Sequence, residues 1–343
     1  MYPARFESEE QLEDFLSSPS IEDVEFAHQV EGDVLLLGAA GKMGPSLAWR
    51  ARRALDAAGN RARVIAVSRF SEEGSREKLE SYGVECIASD LLADGALDRL
   101  PDAPNVIYMA ARKFGATGNP GQTWATNVLL PALAAKRYRH SRIVAFSTGN
   151  VYPFTPVESG GPTEEVPPDP VGEYGWSALG RERMFEFASA EYNTKVSLLR
   201  LNYAVEMRYG VLADIAAKVW NGAPLDLTMG YVNIIWQGDA NSVTFRALGH
   251  TASPPFVLNL TGAETLRVRD IAAGFGRRLG KEPLLAGEEA PTALLSNASL
   301  CHRLFGAPEI PVEIVMDWVA DWVQSGGRSL GKPTKFQVRD GRF

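Results

Sequence analysis

Short apolar runs alternate with longer amphipathic or polar stretches through the first half of the chain. Val34-Leu35-Leu36-Leu37 is a strand that leads to a helix over 45–58. A strand over 63–67 precedes a polar helix near 72–82, and one over 84–88 precedes a helix near 94–100. A strand over 105–110 is followed by a long helix ending near His140, and a strand over 142–147 ends in Ser147-Thr148. Apolar runs this short and uninterrupted read as strands buried on both faces. The strand–helix alternation predicts an α/β fold in which a parallel sheet carries helices on both sides. Right-handed crossovers make such a sheet doubly wound, and its ligand belongs at the carboxyl ends of the strands.

The second half has a different texture. Six prolines between 153 and 170 make a loop. A helix over 174–191 and a strand over 195–201 follow, then a mixed stretch over 203–232 placed above the site. Residues 233–248 read as helical, Val257–Leu260 as a strand and 267–279 as a helix, and Trp318 and Trp322 belong to the last helix. The chain therefore divides into an N-terminal helical extension (1–32), a dinucleotide-binding Rossmann-type unit (33–202), a smaller C-terminal substrate lobe interleaved with the last sheet elements (203–325) and a polar, irregular tail (326–343). In the extension, Ser8-Glu9-Glu10-Gln11 has capping-box spacing, and a second helix starting at Ser20 sets Ile21, Val24 and His28 on one side. The pair either docks on the core or covers a dimer partner.

The break after the first strand carries chemistry. Gly38, Gly41 and Gly44 recur every third residue, and Pro45-Ser46-Leu47-Ala48 opens a helix. Backbone N–H groups and the helix dipole at such a start favour a phosphate. Gly38 permits the turn, Gly41 lets a pyrophosphate approach the backbone, and Gly44 lets the helix pack close to the strand.

Composition narrows the choices. The chain has 343 residues, 45% hydrophobic and 22% charged, with a formal charge of −7 and no basic block. Nucleic acid and anionic membranes are poor partners for it. The opening residues do not read as a signal peptide, and the two cysteines, Cys86 and Cys301, form no motif. A reducing cytoplasm suits that pattern. The four histidines are scattered without ligand spacing, which disfavours a metal enzyme.

Three features then fall in order: the glycine loop, Ser147-Thr148-Gly149-Asn150-Val151-Tyr152 at a strand end, and Tyr174-Gly175-Trp176-Ser177 opening a helix. This order resembles the extended short-chain dehydrogenases, the NAD-dependent epimerase and dehydratase family, over roughly 33–325. Asp90-Leu91, Ala110-Ala111, Asn127, Arg200-Leu201-Asn202-Tyr203 and Tyr231-Val232-Asn233 with Asp239 echo the same pattern. The resemblance implies that Gly38, Gly41 and Gly44 hold the pyrophosphate, flanked by Lys42 and Met43. It puts Asp90 and Leu91 at the adenine, and Ala110, Ala111 and Asn127 along the cofactor cleft. It makes Tyr174 the catalytic tyrosine, also in contact with the cofactor, and Thr148 its hydroxyl partner. Thr148, Asn150, Tyr203 and Trp176 are the substrate-side candidates, and a homodimer is implied. Hydride transfer at a carbinol needs a proton moved at the same oxygen. A phenol can move it and a second hydroxyl can hold the oxygen.

One departure stands out. The family carries lysine four residues after the tyrosine, and here Ala178 occupies that position. An unaided tyrosine is phenolate in only about one molecule in a thousand at pH 7, a deficit worth about 4 kcal/mol where the phenolate is the base. Ketone reduction starts from the neutral phenol and escapes that cost. Arg181 shares a helix face with residues 174 and 178, and side chains lean toward the helix N-terminus. Arg181 is therefore the candidate for the missing positive charge, with a solvated or ion-paired arginine as the plain alternative. The second strand ends Val67-Ser68-Arg69, where a small hydroxyl and an arginine suit a 2′-phosphate. NADP is accordingly preferred over NAD. Residues 220–240 contain no lysine or arginine for a diphosphate, although Arg208 and Arg246 are near in sequence. Trp176, Tyr152, Tyr203, Tyr231 and Trp236 offer ring faces for a sugar, or core. The expected activity is an NAD(P)-dependent oxidoreductase or epimerase acting on a small sugar, sugar acid or polyol. A nucleotide-sugar enzyme and a non-catalytic dinucleotide-binding sensor are the alternatives.

Overall fold

The computed structural model describes residues 2–113, 115–116 and 118–342. Its centre is a sheet of seven parallel strands: β1 (Val34–Leu37), β2 (Val64–Ser68), β3 (Glu85–Ala88), β4 (Asn105–Tyr108), β5 (Arg142–Thr148), β6 (Lys195–Leu201) and β7 (Phe256–Leu260). The spatial order is β7-β6-β5-β4-β1-β2-β3, all pairs parallel. Strand order reverses between β1 and β4, so a crevice opens above their carboxyl ends. Alternation along β1 explains its four apolar residues. Val34 and Leu36 enter one buried cluster with Leu47, Ala48 and Phe245, and Leu35 and Leu37 enter another with Tyr108, Leu130 and Phe185.

Helices cover both faces. Two of them, α1 (Glu9–Ser17) and α2 (Ile21–Ala27), form the extension; α3 (Gly44–Ala57) follows β1 and α4 (Ser75–Ser81) follows β2. The helix expected near 94–100 is only a turn at Leu97–Arg99, stopped ahead of Pro101. The long helix before His140 is broken into α5 (Pro120–Trp124), a π-turn at Ala125–Leu129 and α6 (Leu130–Arg137). Pro131 has no N–H to donate to the carbonyl four residues back, which loosens the ladder at Asn127. Beyond β5 come α7 (Gly172–Tyr192), α8 (Val211–Trp220), α9 (Gln237–Arg246), α10 (Val268–Leu279), α11 (Ser299–Phe305) and α12 (Val312–Gln324). A third buried cluster joins α8, α10 and α12 through Ile215, Phe275 and Trp318.

The extension docks on the core. Leu12 and Leu16 are fully buried. The inward face of α2 is not the expected one, because Ile21 and His28 are exposed while Asp23 and Ala27 are buried. Charge pairing decides this. Asp23 accepts Arg50 Nε of α3 at 2.6 Å and Ser242 Oγ of α9 at 2.6 Å, with Arg246 Nε at 3.5 Å. The tail is irregular, yet Thr334 and Phe336 are almost fully buried.

Candidate active site

The glycine loop follows β1 directly. Gly38 has φ +90°, and a Cβ there would sit 2.6 Å from the Ala110 nitrogen, so β4 abuts the turn. A Cβ on Gly44 would strike the Ala39 backbone, which is the cost of packing α3 tightly against β1. Gly41 differs, since a Cβ there would meet only the Gly38 carbonyl at 3.6 Å. The helix start at Met43 has no side-chain cap. The uncapped helix start and the open space at Gly41 fit a pyrophosphate.

Around the loop, Lys42 reaches across the cleft, with Nζ 2.8 Å from the centre of the Tyr209 ring. Burial pushes its pKa down to about 6, and Lys113 and Lys332 push in the same direction against Glu206 and Asp214. Met43 packs on the core. Ser68 closes β2 half-buried and Arg69 is exposed beside it. Asp90 is exposed after β3 and takes the Leu92 amide at 3.1 Å, whereas Leu91 is buried. Ala110 lines the crevice and Ala111 faces solvent. A cavity of about 340 Å³ beside Gly41 and Lys42 is bounded by Trp49, Tyr82, Arg208 and the tail residues Arg328–Lys332. A larger hollow, about 770 Å³, lies at the amino ends of β4 and β5 and shares only Leu91 with these groups.

The other end of the cleft is built by β5 and α7. Thr148 ends β5, and its hydroxyl accepts the Asn150 amide at 3.2 Å and donates to Asn150 Oδ1 at 3.1 Å. Tyr174 lies in the first turn of α7, 8% exposed, and is hydrogen-bonded to Thr148. Burial raises the tyrosine's pKa; the Arg181 cation and the Thr148 bond act against that. The resting group is the neutral phenol. Ala178 is fully buried against Val151, Tyr152 and Leu179, so packed core fills the place where the family lysine begins.

Arg181 is neither solvated nor ion-paired. It is 2% exposed, and its two terminal nitrogens donate to the Phe146 carbonyl at 2.7 Å and to Asn127 Oδ1 at 3.0 Å. Its Nε has no hydrogen-bond partner, and among the described residues no carboxylate lies within 4.0 Å. Asn127 spends every polar position on protein. Its Oδ1 accepts Arg112 N and Arg181, and its Nδ2 donates to Arg112 O and Ser177 Oγ. No capacity remains for a ligand, so its contribution is to fix the loop after β4 against α7.

Other candidates separate cleanly. Tyr203, at φ +48°, stands near Tyr174, and burial raises its pKa. Trp176 is half-exposed on the side of α7 away from Tyr174, in a shallow groove with Trp124 and Asp340. Tyr152 is core, its hydroxyl donating to Asn259 Oδ1 at 2.8 Å and accepting Arg200 Nη1 at 2.8 Å. Trp236 packs on Phe15 and Trp318, and Tyr231 on a cluster with Met229 and Leu295. Trp236 is therefore core, and Tyr231 is partly buried in the same cluster as Tyr203.

Two contributors escaped sequence reasoning. Glu182 is fully buried, accepting Ser147 Oγ at 2.5 Å and Arg200 at 3.0 and 2.7 Å, and so anchors the end of β5. Its place on the 174–178–181 face was the available signal. Lys113 sits with Nζ 5.7 Å from the Tyr174 ring centre and 5.9 Å from that of Tyr203. Burial lowers its pKa to about 8. Only its nearness to Ala110-Ala111 hinted at it. Among the described residues no three His, Cys, Asp or Glu side chains gather as a metal site, and no helix is long and apolar enough to cross a membrane.

Comparison with solved structures places this geometry. UDP-glucuronic acid 4-epimerase from Bacillus cereus, solved with UDP-glucuronic acid and NAD, superposes with a TM-score of 0.72 at 18% identity, over 85% of this chain and 99% of its own. UDP-glucose 4-epimerase from Thermus thermophilus, solved with NAD, gives 0.69 at 21%, over 84% and 98%. That from Thermotoga maritima, solved with UDP-glucose, gives 0.69 at 17%, over 86% and 99%. No curated protein matches the chain in sequence. Residues 34–208, from β1 through the glycine loop and Tyr174 to the segment after β6, match the NAD dependent epimerase/dehydratase family, and the chain belongs to it.

Proposed function

We propose that this chain is an NAD(P)-dependent oxidoreductase or epimerase acting on a hydroxyl or keto group of a small sugar, sugar acid or polyol. The observation that carries the reading is the buried Tyr174–Thr148 hydrogen bond at one end of a cleft whose other end is the open Gly41 turn. Gly38, Gly41, Gly44 and Lys42 would hold the cofactor's pyrophosphate, and Ala110 its cleft wall. When bound, the nicotinamide ring supplies the hydride chemistry. Thr148 holds the reacting oxygen, Tyr174 gives or takes its proton, and Asn150 fixes the Thr148 hydroxyl. Arg181 acts through space on the Tyr174 phenol in place of the absent lysine, and positions it rather than touching substrate.

The exposed Arg69 after Ser68 supports NADP over NAD. The small-substrate reading is supported by where the cations go. Arg208 is committed to Glu9, Glu13 and Glu206, and Arg246 to Asp23, so neither is spare for a diphosphate. A homodimer fits the exposed Trp124, Leu129, Leu133, Trp176 and Phe187 on the adjoining helical stretches 120–137 and α7. Sedimentation of Leu129→Glu as a monomer beside a dimeric wild type would check that.

The deciding experiment incubates the full chain with NADP or NAD and free sugars and sugar acids, and with NADPH or NADH and their keto forms, following both cofactor absorbance and the configuration of the sugar. The expected result is net cofactor conversion or epimerisation, lowered by about 10²–10⁴ in Tyr174→Phe. A second reading, a dinucleotide-binding sensor, is favoured by Ala178 alone. Cofactor binding with neither net conversion nor epimerisation across the panel, and identical binding by Tyr174→Phe, would select it.

A further inference from the structure

The last residues of the chain run along the cleft instead of away from it. Leu330 N donates to the Arg208 carbonyl at 3.0 Å, close to the Lys42 end. Thr334 is buried; its N and Oγ1 both donate to Asp214 Oδ2 in α8, at 2.7 and 2.5 Å, and its carbonyl accepts Lys113 Nζ at 3.2 Å. Phe336 enters the apolar cluster of α8, α10 and α12. Val338 packs on Tyr174 and Ala116. Arg339 donates to the Thr292 carbonyl and to Thr292 Oγ1, each at 2.7 Å, and lies over the Phe154 ring at 4.4 Å. Gly341 then interlocks with Gly172 at the start of α7, where a Cβ on Gly172 would come within 2.6 Å of the Gly341 carbonyl. The segment is thus pinned to α8, to the Phe154–Thr292 side and to α7, three points around the tyrosine.

We propose that residues 334–342 are a wall of the substrate chamber, and that Val338 and Arg339 set its size limit. This rests on the reading of the cleft given above and narrows it. With Val338 against Tyr174 and Arg339 fastening the strand behind it, a ligand reaching the phenol is enclosed by the tail. Gly341 against Gly172 closes the side between the tail and α7, so the chamber would admit a single sugar ring or its acid and shut out a nucleoside diphosphate attached to that ring. The solved neighbours cover nearly all of their own length but 84–86% of this chain, so this chain adds residues to a complete fold.

The test uses the full chain and two probes, glucuronic acid and UDP-glucuronic acid. Calorimetry in the presence of NADP is expected to show binding of the free acid or its keto form and none of the nucleotide sugar. Arg339→Ala is expected to gain binding of the nucleotide sugar and to release NADP about tenfold faster. Wild-type binding of UDP-glucuronic acid, or an Arg339→Ala variant unchanged in both readouts, overturns the proposal. Amide hydrogen exchange on the wild type needs no variant. Protection of Leu330, Thr334 and Val338 about 100-fold beyond exposed amides is expected, and free exchange there overturns the wall. Failure to bind either nicotinamide cofactor counts against the enzymatic reading, and hydrogen exchange alone then decides the wall.

Discussion

Two buried cations along the cleft, Arg181 and Lys42, are held in opposite ways. At the tyrosine end, Arg181 is locked by the Phe146 carbonyl and Asn127. At the glycine-loop end, Lys42 leans on a neutral ring, and burial brings its pKa to about 6. The first faces a phenol whose own pKa burial raises. On the proposed reading, the first would tune the proton chemistry and the second would regain its charge when the cofactor's pyrophosphate arrives.

The sharpest way to break this contrast is at Tyr174. Tyr174→Phe should lower turnover by about 10²–10⁴ while leaving cofactor affinity within about threefold, read by stopped-flow consumption against a binding titration. The Lys42 end comes next. With the free pKa near 6 and a bound phosphate raising it, binding takes up a proton at every pH between those two values. Cofactor affinity should therefore fall as pH rises above 6, by up to about tenfold per pH unit. Calorimetry in two buffers of different ionisation heat measures that uptake, and Lys42→Met should flatten it. Arg181→Met should slow alcohol oxidation about tenfold and move its pH profile to higher pH, with Arg181→Lys restoring part of the loss. Unchanged turnover in Arg181→Met would remove the guanidinium from the mechanism. The smallest effect belongs to Gly41→Ala, since a Cβ there meets open space. Stability should stay within about 0.5 kcal/mol of wild type by urea unfolding, with a few-fold loss of cofactor affinity.

The parallel sheet and the glycine loop were legible because they are written locally. Each strand is a contiguous apolar run, and the loop's three glycines lie within seven residues of one another. The order of Thr148 and Tyr174 was legible for the same reason. What surrounds them was not, because it depends on pairings far apart in sequence. Asn127 meets Arg112 and Arg181, and Thr334 meets Asp214 and Lys113. The tail's polar composition hid Phe336, one of a few apolar residues too scattered there to show a period. The face of α2 was misread because a buried acid, not an apolar stripe, faces inward. Tyr152 stayed open between a ring face for sugar and core because its hydroxyl partners, Arg200 and Asn259, come from other strands.

The Asp23 junction leaves a mark that an alignment of relatives could reveal. One carboxylate from outside the family's matched stretch serves two guanidinium groups, Arg50 and Arg246, on different helices. Removing one partner of a buried ion pair costs about 3–5 kcal/mol. Lineages that never acquired the leading helices should carry uncharged residues at the positions of Arg50 and Arg246, and acquiring the acid and keeping both arginines should be a single inherited event.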